Sequence, residues 1–163
     1  MDEGGFDDIQ ALLSTRVFGR TFEYLPRIGS TNDVAKRLAV EGAGEGTVIV
    51  ADEQSAGRGR LGRRWVAPPG TCLLGSILFR PDLLPSQAPR LTMLTALAAA
   101  DAIAAVAGLH VQLKWPNDLI VVSACDGSAR AGWKKLSGIL TETGIQGRRL
   151  GFAVVGFGIN VNV

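Results

Sequence analysis

Hydrophobic and polar positions change period several times along this chain. In FDDIQALLSTRVFG, Phe6, Ile9, Leu12, Leu13 and Val17 recur at helical spacing, which predicts an amphipathic helix that stops at Gly19. TFEYLPRI (21–28) reads as extended. Ser30 and Thr31 are N-cap residue types, and Asp33 falls in the first turn of a helix predicted to run to about Val40. EGAGEG ends that helix, and the β-branched run TVIVADE predicts a strand. TCLLGSILFR predicts another strand, followed by the proline-bearing connection PDLLPSQAP and an alanine-rich helix over 91–109 that ends near Gly108.

Beyond that helix, HVQLKW (110–115) alternates as a strand does until Pro116. LIVV, KLSGILTET and LGFAVVGFGINV are further strands, the last two joined by a GIQG turn. The polar, glycine-rich stretch from Ser123 to Trp133 reads as a mobile loop. Many neighbouring strands and few helices predict an α+β fold: a mixed, largely antiparallel sheet flanked by a few helices. No repeat or linker divides the 163 residues, so a single domain is expected. The apolar strand at the C-terminal end, GINVNV, reads as the stop of an incomplete domain or as a domain closing on a strand.

Charge narrows the function classes. Seventeen Lys and Arg against fifteen Asp and Glu leave a net charge of +2, which argues against a protein built to coat DNA or a membrane. Two distant cysteines, Cys72 and Cys125, and one histidine, His110, supply neither a zinc site nor a disulfide framework. The acidic start MDEGGFDDIQ lacks signal-peptide order. Residues 91–109 approach membrane-spanning length, but Asp101 at their middle would cost about 2.5–3.5 kcal/mol on insertion. A buried core helix, no membrane partner and a cytoplasmic location are therefore expected.

Positive charge concentrates in GRGRLGRRW (57–65). Its G-x-G-x-x-G spacing follows a strand, but Pro68 and Pro69 forbid the helix that a dinucleotide fold needs next. A solvated loop, a nucleic-acid contact and an anion clamp remain, the last because glycines permit close backbone approach while guanidinium groups bind carboxylate or phosphate bidentately. GSTND (29–33) is either an ordinary helix cap or a polar ligand contact. KWPND (114–118) crowds Lys114, Trp115, Asn117 and Asp118 into one turn, and KKLSG (134–138) puts Lys135 beside a buried strand. No covalent-catalysis motif and no phosphate loop of the G-x-x-x-x-G-K-[ST] kind appears, so any catalysis rests on positioning and electrostatics.

Taken in order, GSTND, DEQSAGRGRLGRRW, LKWPNDL, KLSGIL and GFGINV resemble the biotin protein ligases, over about residues 27–163. The resemblance implies the family's catalytic fold, similar to class II aminoacyl-tRNA synthetases. It also implies a two-step reaction. Biotin's carboxylate attacks the α-phosphate of ATP to give biotinyl-5′-AMP and pyrophosphate, and a lysine of a biotin carboxyl-carrier domain then takes the acyl group. Biotin contacts would fall on Ser30, Thr31, Asn32, Gln54, Arg58, Gly59, Arg60 and Lys135. Lys135 and Arg60 would be catalytic, and Arg63, Trp65, Lys114, Asn117, Asp118 and Asn160 would surround ATP or the adenylate, with Trp65 covering the adenine.

Mg²⁺ would come with ATP, near Asp118 through water, and no other metal is implied. With 29 residues before Ser30, neither a winged helix-turn-helix nor DNA binding is expected. The family's C-terminal β-barrel is not expected either, and a homodimer stays open. A lipoate–protein ligase of the same fold and a non-catalytic module holding biotin or an adenylate are the alternatives. The arginine–glycine loop would shield the reactive mixed anhydride from water.

Overall fold

Seven strands make one mixed sheet in the computed structural model, which describes residues 9, 11–122 and 132–162. In chain order the elements are β1 (Phe22–Ile28), α1 (Thr31–Val40), β2 (Val48–Gln54), β3 (Cys72–Phe79), α2 (Pro89–Ala107), β4 (Gln112–Lys114), β5 (Asp118–Val122), β6 (Trp133–Gln146) and β7 (Arg149–Asn160). Across the sheet the order is β1-β2-β3-β7-β6-β5-β4. Only β1 and β2 pair in parallel, with α1 as their crossover, and every other pairing is antiparallel. The α+β expectation holds.

Two-residue periodicity sorts the core onto the two faces of the sheet. On β7, Ala153 and Val155 join the cluster under α2 with Leu91, Ala96, Leu119 and Ile139, whereas Val154 joins Ala35, Ala39, Ile49 and Leu78 under α1. Strand β7 is therefore buried on both faces, which is why its sequence reads as a continuous apolar run. Pro26 is tolerated because β1 is an edge strand with a single neighbour.

Helix α2 ends on Gly108 in the left-handed conformation (φ 65°), as the sequence indicates. It is only partly a core helix, however. Leu91, Thr95 and Ala96 are buried, but Met93, Leu94, Leu97 and Val106 lie exposed along its other side.

Four other expectations need correction. Of the helix predicted from Phe6 to Val17, residues 1–8 and 10 lie outside the described residues. Ile9, Ala11 and Leu12 are helical, but Leu13–Thr15 are irregular and the chain then bends and turns through Gly19. Tertiary contacts override the helical period there, since Phe18 packs its ring 5.3 Å from Phe79 and the Gly19 N–H donates to the Gly46 carbonyl. Strand β4 is shorter than HVQLKW suggests and wholly exposed. Gly144, Ile145 and Gln146 belong to β6, so the β6–β7 turn is tighter than the GIQG reading. Of the predicted loop from Ser123 to Trp133, residues 123–131 lie outside the described residues, and Trp133 already belongs to β6.

One irregularity decides the site. Leu119 pairs with Ser137 but Ile120 pairs with Lys135, so Leu136 is an extra residue on β6, a β-bulge. Strict alternation would put Lys135 on the same face as buried Ser137 and Ile139, beneath α2. The bulge turns it instead to the side of Gly138, where the Lys135 Nζ lies 3.0 Å from the place a Gly138 Cβ would occupy.

Candidate active site

A cavity of about 340 Å³ opens between the start of α1, the arginine–glycine loop, the WPND turn and strands β6 and β7. Of the fourteen residues singled out in the sequence, thirteen line it: Ser30, Thr31, Asn32, Gln54, Arg58, Gly59, Arg60, Arg63, Trp65, Lys114, Asn117, Asp118 and Lys135. Asn160 does not. Its amide braces the wall from behind, donating to the Lys135 carbonyl at 3.0 Å and accepting from Cys72 Sγ at 3.2 Å.

The helix end is built for the cavity rather than for its own cap. Ser30 occupies the N-cap position without a side-chain capping bond, and its hydroxyl remains available to the cavity. Gln54 Oε1, at the end of β2, accepts from the Thr31 N–H (2.7 Å) and the Thr31 hydroxyl (3.1 Å). Beneath them Ser76, wholly buried on β3, has its hydroxyl 2.7 Å from that of Thr31 and 2.6 Å from Asn32 Oδ1. A hydroxyl has one proton to donate, so this cluster is closely determined. Ser76 escaped the sequence reading because a serine inside an apolar strand looks like a neutral position.

The loop is an ordered hairpin. Gly59 N–H donates to the Arg63 carbonyl at 2.7 Å, and Trp65 N–H to Gly57 at 3.0 Å. At its tip, Arg60–Gly62, Leu61 takes φ 57°, a conformation uncommon outside glycine. No helix follows, in agreement with the rejected dinucleotide reading. Arg60 Nη1 reaches Asn117 Oδ1 (3.3 Å), and the Asn117 amide donates to the Ile139 carbonyl (3.0 Å), which clips the WPND turn onto β6. Trp65 lies flat over two glycines: a Cβ on Gly138 or Gly158 would stand 2.8 or 2.6 Å from its ring. Its indole Nε1 is buried without a hydrogen-bond partner. Gly156 and Gly158, two apart on one strand, were a readable sign of close approach: Gly158 makes room for Trp65 and Gly156 for the Asn32 side chain.

Charges are paired in two groups. Lys135 Nζ lies 2.7 Å from Asp118 Oδ1 and 5.3 Å from the Trp65 ring centroid, while Lys114 Nζ lies 3.3 Å over the Trp133 ring. At the opposite end, Arg58 forks onto Asp33, with both nitrogens at 2.7 Å, and also reaches Glu142 at 3.2 Å. Lys36 bridges the same two carboxylates at 3.0 and 2.7 Å. The Arg58 hydrogen bonds hold Asp33 down from the ordinary 3.8 to about 2, against the opposing effect of burial. Burial pushes Glu142 upward, but bonds from Lys36 and Asn32 outweigh it and leave its pKa lowered.

A carboxyl group whose folded pKa is depressed stabilises the fold fully above its unfolded value, and that contribution is lost as pH falls through the folded value. The acid branch of a thermal-unfolding series should therefore be flat from pH 7 to about 4 at this network and steepest between about 4 and 2. Asp33→Asn should remove part of that slope.

Among the described residues no group of three or more His, Cys, Asp or Glu side chains is placed to hold a metal. Among the described residues Asp118 is the one carboxylate in the cavity wall.

Comparison with known proteins adds the following. The family model described as the biotin/lipoate A/B protein ligase family matches residues 24–160. The bifunctional ligase/repressor BirA of Bacillus spizizenii is 39% identical over 155 residues, which cover 95% of this chain and 45% of BirA. The biotin–[acetyl-CoA-carboxylase] ligase of Paracoccus denitrificans is 36% identical over 139 residues, covering 84% of this chain and 53% of that protein. The chain thus spans about half the length of the curated relatives it matches. Among solved structures, the Aquifex aeolicus biotin protein ligase in complex with biotin and ATP superposes with a TM-score of 0.62 at 34% identity, over 88% of this chain and 53% of that one. The Leishmania major biotin protein ligase in complex with biotinyl-5-AMP gives 0.69 at 28% identity, over 88% and 58%.

Proposed function

Since the chain belongs to the biotin/lipoate A/B protein ligase family, we propose that it carries the catalytic centre of a cytoplasmic biotin protein ligase. In this reading it activates biotin with ATP as biotinyl-5′-AMP and hands the acyl group to a lysine of a carboxyl-carrier domain. The observation that carries the reading is the gathering of Ser30, Thr31, Gln54, Arg60, Arg63 and Lys135 around one cavity. Polar groups that suit a small, neutral, hydrogen-bonding head and cations that suit a carboxylate and phosphates share its wall.

The chemistry follows from those groups. Attack of the acid's carboxylate oxygen on the α-phosphorus forms the mixed anhydride and breaks the bond to pyrophosphate. Negative charge builds on the phosphoryl oxygens and the leaving group. In this reading Lys135, Arg60 and Arg63, which line the cavity, stabilise it, and no protein nucleophile is needed. In the second step the carrier's lysine supplies the nucleophile and AMP leaves. Mg²⁺ carried by ATP is compatible with the donor set, since that ion keeps most of its waters and needs one or two carboxylates. Asp118 would contact it through water, and the ion would supply charge neutralisation at the phosphates.

The test is biotin-dependent exchange of pyrophosphate into ATP, with lipoate in parallel, followed by intact-mass analysis of a carrier domain after incubation with ATP, Mg²⁺ and biotin. Exchange and a mass increase of one biotinyl group are the expected results. Exchange with lipoate alone would replace the assignment, and biotin binding with neither exchange nor labelling would leave a binding module. Arg60→Gly should release the adenylate about 10- to 100-fold faster than the parent, because a charged hydrogen bond contributes about 1.5–3 kcal/mol. Release followed by quench and chromatography checks this.

A further inference from the structure

Arg58, in the arginine–glycine strap, lines the cavity, yet its guanidinium bonds to two carboxylates outside the cavity wall. It makes two bonds to Asp33 on α1 and one to Glu142 on β6. Glu142 also accepts from Asn32 Nδ2 at 2.7 Å and from Lys36 at 2.7 Å. Its side chain is 25% exposed, against 51% for Asp33. Two carboxylates and two cations thus close a neutral set that ties three pieces of the chain together. Glu142 is its least exposed ionised member and the only one on the sheet. It does not line the cavity.

We propose that Glu142 is a positioning residue, which holds the arginine–glycine strap down through Arg58 and orients the Asn32 amide at the cavity wall. This deepens the ligase reading and rests on it for the identity of the bound acid. Without the Glu142 charge, Arg58 keeps only Asp33, a half-exposed partner whose pairing solvent screens. Asn32 Nδ2 then loses its charged acceptor and keeps neutral ones, the Leu140 carbonyl at 3.3 Å among them. The strap loses its Arg58 tie to the sheet and α1 loses the Asn32 and Lys36 bonds to Glu142, while the core clusters are untouched.

The strap itself supplies the probe, since trypsin cuts after arginine and Arg60, Arg63 and Arg64 lie exposed on it. In ligand-free Glu142→Gln, cleavage at these three bonds should run about tenfold faster than in the parent, and cleavage after Arg90, on α2, should be unchanged. In the exchange assay the KM for biotin should rise about tenfold with kcat within twofold, and Glu142→Asp should recover part of the loss. Parent-like strap cleavage in folded Glu142→Gln overturns the proposal, as does acceleration at all sites alike, which marks a general loss of stability. If Glu142→Gln does not fold, Arg58→Ala serves, because Glu142 then keeps Lys36 and Asn32. Faster strap cleavage in that variant supports the tie and the parent's rate removes it. The proteolysis needs no ligand, so it stands or falls separately from the assignment of biotin as substrate.

Discussion

Lys135→Ala is expected to lower biotin-dependent pyrophosphate exchange by about 10²- to 10³-fold, the usual loss when one preorganised charge is removed from a developing anion. The side chain is 37% exposed and its partner Asp118 is 24% exposed. An ion pair this open contributes at most about 1 kcal/mol to folding, so thermal unfolding should move little. Two effects act in the same direction on the reaction. The ammonium no longer meets the carboxylate and phosphate oxygens, and Asp118 is left as an uncompensated anion where those oxygens must come. Lys135→Ala/Asp118→Asn separates the two. Partial recovery in the double variant measures the Asp118 contribution, and what remains lost belongs to the lysine. Exchange within threefold of the parent in Lys135→Ala would remove Lys135 from the reaction.

Gly158→Ala should disturb both stability and turnover. A Cβ there would come within 2.6 Å of Trp65 Cε2, 2.7 Å of Cζ2 and 2.8 Å of Nε1, which no side-chain contact tolerates. The indole cannot sink, because β7 lies directly beneath it, so it must rise towards the cavity. Its own backbone is tied to Gly57, whose Cα is closed in by the Trp65 carbonyl, 2.6 Å from the place of a Cβ. The strap has to move with the ring. Overpacking of this kind costs about 1–3 kcal/mol. For a chain of this size that is a fall in Tm of roughly 2–12 °C. Exchange should drop by more than tenfold, and fluorescence should report the cause. Trp115 is 83% and Trp133 50% exposed, so a loss of blue-shifted emission comes from Trp65. An unchanged spectrum with unchanged exchange would show that the glycine shelf is incidental.

Much of this was legible in local sequence. The helix start at Ser30, the stop at Gly108 and the strands of the central sheet follow from caps and periodicity, which are properties of one segment at a time. Thirteen of the fourteen residues read from the motifs meet at one cavity because motifs preserve chemistry at fixed spacings. The misses are properties of pairs of segments. The bulge at Leu136 exists only against β5, and nothing within KKLSG says which face Lys135 will take. Glu142 sits in LTET, where alternation suggests an ordinary solvent-facing residue, and its role needs Arg58, far away in sequence, to be visible. The helix assigned through Val17 failed for the same reason, since Phe79 draws Phe18 away from the helical course.

The bulged strand also works as a ruler. Lys135 and Glu142, seven residues on, lie along the same strand, and the hydrogen-bonded neighbours β5 and β7 fix their separation. On the ligase reading, a ligand stretched between the polar head pocket and the ammonium would be measured against a length that thermal motion hardly alters. The strap can rise or settle above it and change how fast molecules come and go. It would not change which chain length fits, so on that reading selectivity among acids belongs to the sheet and exchange rate to the loop.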